Sequence, residues 1–271
     1  MSSHRHRRWA AIAAAALAVV FLTPLVFMVL GSLRAPGLPP PDGFELVPQD
    51  AGWSNYRFVF AFVPLGRYLV NSLIIVAVAV PITVLLASWA GFAITSATTR
   101  IRRWLIAVSV IALMMPASAL WVPRFVGFRW LGTIDTYWPL LAPSLMATTP
   151  FYVLLFAFAY ARLPKNLFEA ARLENMSPFS IWRRVAWPLA LPAAFAVAIL
   201  AFTWHWANFI DPLLYLSSGE KFTIPLGLRA LQTLEPTNHP ILLAGAVIAA
   251  APPVIAFLIA QRSFFVKTLD V

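Results

Sequence analysis

Six stretches of this chain run for about twenty residues or more without a single Asp, Glu, Lys or Arg. They are residues 9–33, 71–95, 104–123, 138–160, 189–210 and 241–261. A helix needs about 20 mainly apolar residues to cross the hydrocarbon core of a bilayer, and each stretch is long enough. Inside hydrocarbon every backbone polar group must find its partner within the protein, so the runs are read as helices. Composition agrees, since hydrophobic residues make up 61% of the 271, charged residues 11%, and mean hydropathy is +0.80. A soluble domain needs far more charge to cover its surface. The expected fold is an all-α polytopic membrane protein, a single transmembrane domain over residues 1–271 with six spans.

The net charge of +10 raises the question of a nucleic-acid partner. The basic residues instead sit in short clusters between apolar runs, which excludes a basic face and fits a role in orientation. Placing the amino terminus inside assigns Arg5, Arg7, Arg8, Arg100, Arg102, Arg103, Arg162, Lys165, Arg172, Arg183, Arg184, Arg262 and Lys267 to the cytoplasm. Those are thirteen of the 20 Lys and Arg; Arg34, Arg57, Arg67, Arg124, Arg129, Lys221 and Arg229 fall outside. The bias predicts that both termini are cytoplasmic. The run from Trp9 to Leu33 exceeds the roughly 7–15 residues of a signal h-region, so an uncleaved first span is expected rather than a secretory signal. The connection from Arg34 to Val70 holds Ala35-Pro36-Gly37-Leu38-Pro39-Pro40-Pro41-Asp42-Gly43, which cannot be regular helix and is expected to form an irregular outer cap.

Several chemistries are disfavoured by what is missing. With no cysteine there are no disulfides, thiolate metal sites or cysteine nucleophiles. The four His residues, His4, His6, His205 and His239, form no metal-ligand spacing, and no GxxxxGK[ST] phosphate loop is present. Ion-coupled carriers commonly keep ionisable groups within their spans, and these spans have none. If the chain serves driven transport, the energy must arrive from a partner. Prolines 24, 81, 116, 143, 150, 192, 252 and 253 fall inside the runs and are expected to kink helices rather than end them.

The connection 161–188 is the most informative part of the chain. Asn166 and Glu169 have the spacing of a capping box, predicting a helix from Leu167 with Glu169 in its first turn. Ala170 and Ala171 keep that helix slim. Asn175 suits a left-handed terminator, and Ser177-Pro178 supplies a cap and first-turn proline for a second helix carrying Phe179, Trp182 and Ala186 on one side. Pro188 is expected to close the unit. Helix, tight turn and helix are predicted here, either as a docking element or as an amphipathic loop lying on lipid headgroups.

Glu169-Ala170-Ala171, then Glu174-Asn175, Trp187-Pro188 and Pro192, resemble the EAA loop of permease subunits in ATP-binding-cassette importers. Asn175 stands where that family has Gly, and Trp187 where it usually has Leu. Tyr68-Leu69-Val70-Asn71-Ser72-Leu73, Trp206 to Leu214 and Thr223 to Leu228 resemble maltose-type carbohydrate permeases, as does Gln261 to Val266. The tail Lys267 to Val271 departs from the family's Gly-rich extension, and Ala207 stands where many relatives have Asn.

The resemblance implies a type I importer permease in a bacterial inner membrane. Its implied partners are a sister permease, two cytoplasmic ATPase subunits that bind ATP and Mg, and an extracytoplasmic sugar-binding protein. This chain would hold no cofactor. Glu169, Ala170, Ala171, Glu174 and Asn175 would couple to the ATPase. Trp204, His205, Trp206 and Asn208 are candidates for the sugar pathway, with an interfacial aromatic belt as the alternative. A permease for peptide or amino acid, a freestanding channel or carrier, and a membrane enzyme remain as other readings.

Overall fold

The computed structural model describes residues 2–41, 43 and 50–268, and their side chains apart from 2–8, 10 and 260–268. The expectations placed on Arg5, Arg7, Arg8, Arg262 and Lys267 as side chains, and on the last three residues, lie outside what is described. Among the described residues every regular element is helical. Two compact units emerge, residues 1–67 with 226–252 and residues 68–225 with 253–271.

In the first unit, α1 (Ser2–Ser32) carries Pro24 within it, and its apolar window from Ala11 buries none of its residues. Phe21 and Val20 are among the exposed side chains. An apolar surface of this kind suits lipid or another membrane chain and not water. The stretch after α1 is irregular as expected, but the outer connection also forms a helix, α2 (Ser54–Phe62). Asn55, fully buried, ties the two together by donating to Ser32 O at 2.9 Å and Arg34 O at 2.6 Å. Gly37 N–H donates to Asn238 Oδ1 at 2.9 Å, anchoring the Pro-rich stretch.

The second unit is organised around α3 (Leu65–Ser96), a 32-residue helix that carries Pro81 without a break and enters this unit at Tyr68. At 1.5 Å per residue it is about 48 Å long, more than a hydrocarbon core requires. α4 (Thr99–Met114) and α5 (Trp121–Trp130) replace the continuous, proline-kinked third span expected over 104–123. Pro116 cannot donate to a helical ladder and holds an extended ψ of 130°, so the chain bends by 90° across the break. The fourth run is also less regular than expected. α6 (Trp138–Leu141) passes through a 3-10 turn to left-handed Ala147 and Thr148, and α7 (Pro150–Ala161) restarts behind a Thr149 cap with Pro150 in its first turn. Pro116 and Pro150 thus stand at helix breaks, whereas Pro24, Pro81, Pro252 and Pro253 lie inside continuous helices.

α8 (Lys165–Leu173) and α9 (Pro178–Ile181) form the expected helix–turn–helix. A π-helical turn, Trp182–Ala186, leads into α10 (Trp187–Leu189), and an 80° bend at Ala190 separates it from α11 (Leu191–Ala207). Pro188 therefore lies within α10 and does not close the unit. α12 (Ile210–Tyr215) follows; α13 (Ile224–Leu234) and α14 (His239–Thr268) run on across the boundaries of the two units. Among the described residues four helical segments are long and apolar enough to span a membrane, or up to six if each bent pair counts as one.

Small residues set the packing of this unit. Ala186, Ala190, Ala194, Val197 and Ala201 recur at helical spacing and are buried with Val84, Ala87, Tyr152, Phe156 and Tyr160. Gly91 is the point of closest approach, for a Cβ there would stand 2.6 Å from Phe156 Cβ and 2.8 Å from Ala157 N. Close backbone approach through small residues is the usual way for helices to associate in lipid, where apolar burial offers no drive.

Candidate functional site

The 161–190 connection is built on the carboxyl-terminal ends of α3 and α7. Pro164, extended at ψ 127°, fixes the start of α8 at Lys165, two residues earlier than expected. Asn166 is thereby already inside the first turn, and its Oδ1 accepts from the adjacent Leu167 N–H at 3.0 Å. The expected capping box does not form, and Glu169 falls beyond the first turn. The other end is as expected. Asn175 has φ 56°, Met176 N–H donates to Ala171 O at 3.1 Å and Asn175 N–H to Arg172 O at 3.0 Å. Those two bonds make a Schellman stop. Ser177 then accepts from Ser180 N–H at 3.3 Å and Pro178 occupies the first turn of α9.

Two faces of α8 differ. Ala171 is buried, and Lys165, Phe168, Glu169 and Arg172 share one side, where they line a groove with Phe92, Arg102 and Tyr160. Leu167, Ala170 and Glu174 recur on the opposite side and are exposed, and Leu173 beside them is 84% exposed. Of the residues singled out in the sequence, Ala171 and Asn175 thus shape the element, Ala170 and Glu174 face outward, and Glu169 borders the groove.

The connection is fastened to the spans by one buried polar junction. Trp182 Nε1–H donates to Ser88 Oγ at 2.8 Å, and Ser88 Oγ is 2.6 Å from Tyr160 Oη. Aromatic rings surround it. Trp182 packs against Trp89, Phe179 and Trp187 with centroids 5.4 to 5.6 Å apart, and Trp187 stacks on Phe156 at 6.4 Å. Trp187 in place of the family's Leu thus enlarges this cluster. A displacement of α8–α9 would be transmitted through Trp182 to α3 and α7.

Trp204, His205, Trp206 and Asn208 lie elsewhere: His205 and Asn208 line a small cavity with Ser72 and Ile75 of α3. His205 is buried, with Nε2 3.3 Å from Thr148 Oγ1, which is 2.6 Å from Thr83 Oγ1. Trp206 is buried and Trp204 is 38% exposed, edge-on to the imidazole. Asn208 is engaged with α12, donating to Asp211 Oδ2 at 2.9 Å and accepting from Asp211 N–H at 3.2 Å. Nearby, Asn71 Nδ2 donates to Glu220 O and Phe222 O at 2.9 and 3.0 Å, and Ser72 Oγ accepts from Ile224 N–H at 2.9 Å. Ser72 and Phe92 are twenty residues apart on α3, or about 30 Å along its axis. The structure does not bring the two candidate regions together, although His205, through Thr148, reaches Thr83, five residues before the Ser88 junction on α3.

Sequence reasoning missed a pair beside the second region. Arg124 Nη1 lies 3.3 Å from Asp211 Oδ1, and the guanidinium sits 5.7 Å from the Tyr215 ring. Both residues fall just outside the apolar runs, which hid them from a search of the spans. Opposite charges flanking two runs at the same end were the available signal.

Taken together, the long apolar helices, the broken third and fourth runs, and the capped helix–turn–helix anchored on the spans define a polytopic helical membrane protein. The chain belongs to the binding-protein-dependent transport system inner membrane component family, whose pattern matches residues 58–265. It is 32% identical to the arabinooligosaccharides transport system permease protein AraQ of Halalkalibacterium halodurans over 92% of this chain and 89% of that one. It is 27% identical to the trehalose transport system permease protein SugB of Mycobacterium tuberculosis over 97% and 95%. A crystal structure of a bacterial ABC transporter involved in the import of the acidic polysaccharide alginate contains a chain with the same fold, at TM-score 0.77, 19% identity and 97% and 98% coverage.

Proposed function

We propose that this chain is a permease subunit of an ATP-binding-cassette importer in the bacterial inner membrane, forming half of the pathway for a sugar or sugar-like solute. Both termini face the cytoplasm, and the solute arrives on an extracytoplasmic binding protein. A sister permease completes the pathway. Two ATPase subunits supply the energy with their own ATP and Mg, and this chain catalyses nothing itself. The relatives named for arabinooligosaccharides and trehalose support the cargo class.

The observation that carries the reading is the α8–α9 element, slim, capped at its far end and bolted to two spans through Trp182. Its outward face of Leu167, Ala170 and Glu174, with exposed Leu173 beside it, suits a groove on a cytoplasmic ATPase. Closure of the ATPase pair would push α8–α9, and the Ser88–Tyr160–Trp182 junction would pass that movement to α3 and α7. At the other end, Trp204 and Asn208 offer an aromatic face and an amide to a sugar, with His205 and Trp206 packed behind them.

Mild-detergent co-purification of the tagged chain, with mass-spectrometric identification of what accompanies it, tests the assembly. A stoichiometric ATPase and a second six-span protein are expected; a chain that comes out alone under several gentle conditions overturns the reading in favour of a freestanding channel or carrier. Glu169→Lys is expected to insert normally and to lower solute uptake by at least about tenfold, because it adds a third like charge between Lys165 and Arg172 at the base of α8. Wild-type uptake in that variant would sink the coupling role of Glu169.

A further inference from the structure

The groove beside α8 is strongly cationic. Arg102 at the start of α4 and Lys165 and Arg172 on α8 all line it, with Glu169 as the one carboxylate. Among the described residues none of these three cations has a carboxylate in ion-pair reach, whereas Arg124 and Lys221 are paired with Asp211 and Asp135. Three like charges around one cavity repel each other and gain from any anion that enters. Phe92, Leu163 and Phe168 add an apolar part to its lining. Phe92 also lines a second, open trough formed with Trp89, Pro178, Phe179 and Trp182. Trp89 is 45% exposed and Phe179 54% exposed, so among the described residues nothing covers this trough. Arg183 and Arg184, both exposed, follow Trp182 directly.

A cationic basin joined through one aromatic ring to an apolar trough has the form of a site for an amphiphile with an anionic head. We propose that this is a binding site for an anionic phospholipid of the cytoplasmic leaflet, its phosphate held by Arg102, Lys165 and Arg172 and an acyl chain laid along Trp89, Phe179 and Trp182. Basic pockets between helices at the cytoplasmic surface recognise anionic headgroups in this way. Arginine is suited to the phosphate through its forked donors, and the aromatic rings to the interface between chain and headgroup. The lipid would brace the side of α8 opposite Leu167, Ala170 and Glu174, leaving that outward face free. The site rests on the inward orientation proposed above but not on the identity of the cargo or on ATPase docking.

The test uses the full chain, with whatever partners co-purify, in phosphatidylcholine nanodiscs doped with a phosphatidylglycerol bearing a photoreactive acyl chain. Labelling is expected on peptides containing Trp89, Phe179 or Trp182, and unlabelled phosphatidylglycerol should compete where phosphatidylcholine does not. Arg102→Gln is expected to lower that labelling roughly fivefold, and the triple Arg102→Gln/Lys165→Gln/Arg172→Gln variant to abolish it. If the triple variant fails to fold, the single variant and Trp89→Ala still decide the matter. Labelling that is unchanged in Arg102→Gln, or absent from these peptides, overturns the proposal. Displacement by inorganic phosphate overturns the lipid in favour of a soluble phosphate-bearing anion. Loss of ATPase co-purification with labelling retained would sink the importer reading and leave this site standing.

Discussion

At the scale of single residues, space and hydrogen bonding decide more than chemistry does. Gly91 shows this most directly, because a Cβ there would meet backbone as well as side chain, with Val153 O at 2.9 Å and Ala157 N at 2.8 Å. Backbone cannot move aside as a flexible side chain can. Gly91→Val is therefore expected to separate α3 from α7 and to destabilise the unit by about 1–3 kcal/mol, the usual cost of overpacking. Thermal unfolding of the purified chain in detergent checks it, and an unchanged midpoint would refute the close contact. Nothing in the sequence distinguished Gly91 from the other ten glycines, since the constraint comes from a partner helix sixty residues away. Asn175 was legible for the opposite reason. Its left-handed φ of 56° is a local requirement at a helix end, and Asn there after an Ala- and Leu-containing helix announces it. Trp182 fell between these cases: its helical register with Phe179 could be read, but its place in a π-helical turn and its bond to Ser88 could not.

At the scale of elements, apolar length revealed where helices run, and polar detail decided where they break. The bend at Pro116 and the left-handed pair Ala147–Thr148 divide two of the six expected spans, whereas the bend at Ala190 falls at the start of the fifth and leaves α11 unbroken. Proline identified some breaks, but Pro81 sits in an unbroken helix, so proline alone could not tell a break from a tolerated residue. The clip at Asp135 shows how loops are fixed between such elements. Ser217 and Ser218 N–H donate to its Oδ1 at 3.0 and 2.9 Å, and Lys221 Nζ donates to its Oδ2 at 2.9 Å. The Ser218 bonds above all, and then Lys221 and Ser217, hold this carboxyl well below its ordinary range. A depressed folded value means that the clip contributes fully above the unfolded pKa of about 3.9 and weakens as pH falls below it toward the folded value. Asp135→Ala is expected to raise amide exchange at Ser217 and Ser218 several-fold at neutral pH, with the difference from wild type shrinking in strong acid. Equal exchange in both proteins at neutral pH would remove the clip from the account.

At the scale of the whole molecule, the remaining question is which end of the helices faces the cytoplasm. The basic residues divide unevenly, and the structure adds a difference in how they are used. On the side assigned outward, Arg124 and Lys221 are spent on Asp211 and Asp135, and Arg229 bonds Gln232 at 3.2 Å. On the side assigned inward, Arg102, Lys165 and Arg172 crowd a single groove with only Glu169 among them. Unpaired cations belong where anionic headgroups and an inward-negative potential hold them, and basic residues in short connections resist translocation. The absence of cysteine makes this testable without background. Single cysteines at Thr98 and Asn166, and at Gly219 and Thr237, occupy exposed positions in three connections, two assigned inward and one outward. A membrane-impermeant maleimide applied to cells with a permeabilised outer barrier is expected to label the latter two at once, and the former two only after the inner membrane is opened. The reverse pattern would invert the molecule. It would put α8–α9 out of reach of any cytoplasmic ATPase and leave the cationic groove facing the wrong leaflet, so one labelling series bears on the docking face and the lipid site together.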